Sequence, residues 1–185
     1  MAGKDATWGI GHGAHDGRLP VGNAVCMVEE TDQQPDVADI RILALGSPHG
    51  DDRVAWCVAE RLQGDRLTVQ KIACPWDLID HLHSVKKVLI LDTCRSGAPV
   101  GTLIRRNEHN LEESWLGYAS THAGSISESL RLARVLGRHF GEATVLAVEI
   151  DEPLTGGEVS PAASDCVRKL EAEVRQTLLH WNVTQ

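Results

Sequence analysis

A chain of 185 residues, 42% of them hydrophobic, is long enough to bury one full core without covalent staples. Its formal net charge of −8 and pI near 5.5 offer no positive field to a nucleic-acid backbone or an anionic membrane surface, and both are excluded as partners on that ground. The cysteines, Cys26, Cys57, Cys74, Cys94 and Cys166, are odd in number and contain no CxxC pair, a pattern of reduced thiols rather than of a zinc site or disulfide frame.

Residues 1–39 are rich in Gly and Asp and lack periodicity, so they are expected to form a flexible N-terminal extension. The extension carries His12, His15 and Asp16 in GHGAHDG, a cluster with metal-binding side chains but no surrounding pattern to fix them as ligands. From residue 40 to 185 the pattern is regular and predicts one domain. Ile42, Leu43, Ala44 and Leu45 make an apolar strand ending at Gly46, and a short loop leads to Asp51 and Asp52 at the start of a helix. In that helix Val54, Val58 and Leu62 share an apolar face with Ala55 and Ala59, while Arg53, Glu60 and Arg61 face water. Leu67–Cys74 reads as a second strand and Trp76–His83 as a short helix with Trp76 and Leu78 in the core. Val85–Asp92 is a strand apolar on both faces, as a central parallel strand must be, and it ends in a carboxylate.

Gly101–Arg106, with its charged end, is expected at a sheet edge. A polar loop over Asn107–Tyr118 follows. Ser120–Gly137 is helical, with Ala123, Ile126, Leu130 and Ala133 on one face, Ser125 and Glu128 as a capping box and Gly137 as the stop. His122 lies at or just before its first turn. Glu142–Ile150 is another buried strand. After a loop at DEPLTGGEV, Ser160 as cap and Pro161 at the first helical position open a long helix faced by Ala163, Val167, Leu170, Val174 and Leu178.

Strands alternating with helices predict an α/β fold: a three-layer, doubly wound, mostly parallel five-stranded sheet with helices on both faces and one antiparallel edge strand. In such a sheet the loops bearing Asp52, Asp92 and His122 meet at one rim, where open α/β sheets bind ligands. Asp51 and Asp52 as helix caps and Asp92 in an Asx turn are the ordinary alternatives. Two carboxylates and an imidazole together form an O,O,N set suited to a divalent first-row metal, and a helix N-terminus keeps the imidazole neutral.

Taken in order, the strand–loop–GDD opening, the LILD strand end with GAPVGTLIRR, the STHAGS segment, VLAVEID and the late GGEVSP resemble the hydrogenase maturation proteases over roughly Ile40–Trp181. The resemblance implies an endopeptidase that trims the C-terminal tail of the nickel–iron hydrogenase large-subunit precursor. The nickel would come with the substrate and be contacted by Asp52, Asp92 and His122, with Asp52 or Asp92 as a catalytic base. A soluble, cytoplasmic monomer is expected, as no run of about 18 apolar residues and no signal-type segment occurs.

The chain also departs from the family pattern. GSPHGDD is shorter than the usual G-x-G-N-P loop and lacks its Asn, Arg53 replaces a usual Gly, CPWD replaces a Gly/Thr-rich turn, and His49 is an added imidazole, read as exposed rather than as a fourth ligand. Three other functions compete: a degenerate metal- or partner-binding module of the same fold, a magnesium-dependent receiver domain, and a thiol enzyme using Cys94. A receiver wants a Lys at the end of the last strand, where Asp151 and Glu152 follow Ile150 here. No activating motif surrounds Cys94.

Overall fold

The computed structural model describes residues 39–63, 67–110, 123–151 and 159–181. The expected extension thus falls, apart from Asp39, outside the described residues, as do residues 111–122 and 152–158.

Five strands, β1 (Ile40–Leu45), β2 (Thr68–Ile72), β3 (Val85–Cys94), β4 (Leu103–Asn107) and β5 (Phe140–Glu149), form one sheet in the order β2-β1-β3-β5-β4. All neighbours are parallel except β4, which pairs antiparallel with β5 at the edge. The helices are α1 (Val54–Leu62), α2 (Leu78–His81), α3 (Ala123–Val135) and α4 (Pro161–His180). Strand alternation divides the core into two layers. Ile42 and Ala44 of β1, Leu89 and Leu91 of β3 and Leu146 and Val148 of β5 pack with α1 and α4. Leu43, Leu45, Val88, Ile90, Ala143 and Val145 pack on the other face with α2 and α3. The doubly wound, three-layer architecture is therefore the one that the alternating pattern dictates. A receiver would have the order 2-1-3-4-5, and the reversal at β5-β4 with its antiparallel edge departs from it.

Two helix ends follow their sequence signals. Ser160 caps α4, its Oγ accepting from the Ala163 amide at 3.1 Å, with Pro161 at the first helical position. Gly137 takes φ +73°, and the Arg138 amide donates to the Ala133 carbonyl at 2.9 Å, the Schellman closure expected of a glycine stop.

Three local expectations are corrected. Trp76 is 44% exposed rather than core. It sits in a 3₁₀ turn, Pro75–Asp77, where residues three apart eclipse, so Pro75 and Leu78 take the inner face and Trp76 faces out. Ser125 does not stand at the helix start that a capping box with Glu128 requires, because α3 already includes Ala123 and Gly124. Finally, β3 runs on through Thr93 to Cys94, so Asp92 lies within the strand, in register with Ala147 of β5.

Candidate active site

In the sheet order β1 sits between β2 and β3, so the chain winds one way after β1 and the other way before β3. The carboxyl ends of β1 and β3 therefore flank a topological switch point, the place where open α/β sheets hold ligands. The turn after β1 carries Asp51 and Asp52, and β3 carries Asp92.

The turn is shaped by glycine. It leaves β1 at Gly46 and folds back so closely that a Cβ on Gly46 would lie 2.4 Å from the Asp52 carbonyl oxygen, and the Ser47 amide donates to that same oxygen at 3.4 Å. Gly50, at φ +56°, then starts a 3₁₀ turn, Gly50–Arg53, that runs directly into α1. His49 is exposed in this turn, as expected.

Within the turn the two aspartates diverge. Asp51 is buried at 2% exposure, and its carboxylate accepts from the Ser160 amide at 2.7 Å and the Ser160 hydroxyl at 2.8 Å. It caps no part of its own helix. It ties the turn to the start of α4, and Ser160 in turn caps α4, so one hydrogen-bond chain runs from Asp51 through Ser160 to Ala163. Asp52 is half-buried, and its Oδ1 accepts from the Thr93 hydroxyl at 3.3 Å.

Asp92 is fully buried, and its Oδ1 accepts from the Thr93 amide at 2.8 Å. The structure thus ties two of the three candidate residues to Thr93, Asp52 through its hydroxyl and Asp92 through its amide. The third, His122, lies outside the described residues and directly precedes Ala123, the first residue of α3. Among the described residues no three acid, His or Cys side chains form a metal-holding cluster. The two carboxylates nevertheless match the hard half of an O,O,N set.

A further carboxylate at this rim carried no sequence expectation. Glu149, the last residue of β5, is buried and accepts from the Ser96 amide at 2.7 Å, the Ser96 hydroxyl at 2.7 Å and the Gly97 amide at 2.9 Å. Its Oε2 also accepts from the Cys94 thiol at 3.4 Å. Burial pushes the Glu149 pKa up, and the hydrogen bonds from Ser96, Gly97 and Cys94 outweigh burial and hold it below the ordinary 4.5. Glu149 stands opposite Cys94 in the β3–β5 register, two positions on from the Asp92–Ala147 pair. A glutamate inside the apolar run VLAVEID was the available signal. Burial, the Glu149 hydrogen bond and the charges of Glu149 and Asp92 all push the Cys94 thiol up, which disfavours the thiolate a Cys94 nucleophile needs.

Comparison with known proteins assigns the family. A family model described as hydrogenase maturation protease matches residues 73–177, more than half of the chain. The chain belongs to the hydrogenase maturation proteases. The matched span contains Asp92 and His122 and begins after β1 and the GDD turn, the region where the loop is shortened. The hydrogenase maturating endopeptidase HybD of E. coli has a similar fold, with a TM-score of 0.65 and 16% identity over 76% of this chain and 92% of that one. HybD of Thermococcus kodakarensis gives 0.66 and 19% over 75% and 97%, and HycI of the same organism 0.57 and 20% over 76% and 92%. At such identities the structures support the fold. No curated protein sequence matches the chain.

Proposed function

We propose that this chain is the endopeptidase that removes the C-terminal tail of a nickel-loaded nickel–iron hydrogenase large-subunit precursor. The nickel is part of the substrate, and Asp52, Asp92 and His122 are the side chains that contact it. The observation that carries this reading is the pair of acids at the switch point, Asp52 and Asp92, joined through Thr93 in a chain of this protease family.

The carboxylates favour a hard or borderline divalent ion and supply negative charge where the substrate's metal must dock, and a neutral imidazole adds the nitrogen donor. A metal held beside the scissile carbonyl polarises it, and Asp52 or Asp92 is then in place to take the proton of the attacking water. Asp52 suits that second task better, being half-buried where Asp92 has no exposure. Cys94 is assigned no chemical step. No helix among the described residues is long and apolar enough to cross a membrane, and we place the protein in the cytoplasm, acting as a monomer on a folded precursor.

Replacing Asp92 by Asn or His122 by Ala tests the assignment. Each variant is expected to remain folded by circular dichroism and to lose precursor processing on a gel, by a factor of 100 or more, on the order of what loss of a metal contact or base costs. Processing by either variant at the parent rate would remove that residue from the site.

A further inference from the structure

We propose that Thr93 is a positioning residue of this active site, its hydroxyl fixing the orientation of the Asp52 carboxylate. The inference rests on the reading of Asp52 and Asp92 as the acids of the site.

Thr93 is 1% exposed, so its hydroxyl has no water to turn to and needs an acceptor inside the protein. Among the described residues that acceptor is Asp52 Oδ1. The backbone beneath Asp52 is fixed from two directions: its carbonyl is pressed against Gly46, and the neighbouring Asp51 is bound to Ser160. What the backbone leaves open is the orientation of the Asp52 side chain. Thr93 closes that freedom. It is β-branched and stands in a central strand, a setting that restricts χ1, and its hydroxyl is therefore a rigid donor. The same residue's amide holds Asp92 Oδ1. One residue of the sheet thereby sets both carboxylates in a common frame and engages one oxygen of each. Among the described residues Asp52 Oδ2 has no hydrogen-bond partner, so the orientation imposed on Oδ1 decides where the second oxygen points.

Thr93→Val keeps the shape and the backbone amide and removes the hydroxyl, Thr93→Ser keeps the hydroxyl, and Thr93→Ala supplies a second hydroxyl-free variant should valine fail to fold. The side-chain carboxyl carbons of Asp52 and Asp92 are followed by carbon-13 NMR in metal-free, substrate-free protein at pH 7. The Asp52 resonance is expected to move in Thr93→Val and Thr93→Ala and to return in Thr93→Ser, while Asp92 keeps its position. On the nickel-loaded precursor, Thr93→Val is expected to lower kcat about tenfold at nearly unchanged KM, with Thr93→Ser restoring most of it, the size of one hydrogen bond to a charged group. An unmoved Asp52 resonance in the hydroxyl-free variants overturns the proposal whatever the precursor does. An unchanged kcat in a parent enzyme that cleaves overturns the positioning role. Failure of the parent itself to cleave would instead overturn the proposed function, leaving the NMR result to decide whether Thr93 holds Asp52.

Discussion

Asp51 and Asp52 are identical side chains one residue apart, and the fold uses them for different ends. Asp51 is consumed by two short hydrogen bonds from Ser160, whereas Asp52 keeps part of its carboxylate accessible at the rim. The pair therefore predicts an ordering. Asp52→Asn is expected to abolish processing with little change in stability. Asp51→Asn, which preserves an acceptor for the Ser160 amide, is expected to retain a measurable rate when both are assayed on the same precursor; equal or reversed losses would move the reacting carboxylate to Asp51. Sequence reading distinguished the two only through resemblance. The physical difference lies in a partner 109 residues away, and spacing carries no information about such a partner.

At the scale of elements, Asp51 and Ser160 join the GDD turn to α4. Removing Asp51 leaves the half-buried Ser160 amide without its carboxylate acceptor, at a cost of about 1 kcal/mol, and removing the Ser160 hydroxyl costs about 1 kcal/mol through the cap. A double-mutant cycle of Asp51→Ala and Ser160→Ala by urea denaturation is expected to show a coupling of about 1 kcal/mol. Additive losses would mean that the two groups do not interact. The strands and long helices were legible because their apolar periodicities are unmixed: Val88–Leu91 is buried on both faces, and α4 buries Ala163, Val167, Leu170, Val174 and Leu178 as spaced. Short elements were less legible. Trp76 reads as core by hydrophobicity alone, yet the 3₁₀ geometry around Pro75 turns it outward. The capping signal at Ser125 has the right residue types in the wrong place, since Ala123 already belongs to the helix. A lone acid in a strand, as Glu149 is, says nothing about the turn amides that satisfy it.

For the whole molecule, Glu149 links site architecture to acid stability. Its folded pKa lies below the ordinary 4.5, so its contribution is fully present above that value and is lost as pH falls through the folded one. The stability gap between the parent and Glu149→Gln, from urea denaturation, is expected to be constant from about pH 8 to 5 and to narrow below about pH 4.5. A gap that stays constant into strong acid would show that the carboxylate's charge is not what the Ser96–Gly97 turn requires. The same buried acid joins Asp92 as a second carboxylate at the carboxyl rim of the sheet.

The central claim is that the substrate's own nickel is what the acids at this rim read. Mass spectrometry of the cognate large-subunit precursor, incubated with this protein once with nickel installed and once without, tests it directly. Loss of a C-terminal peptide from the nickel-loaded form alone is the predicted result. An intact precursor in both forms, with folded protein and the correct partner, would contradict it and identify the chain as a binding module of the protease fold, whereas equal cleavage of both forms would contradict the role of nickel.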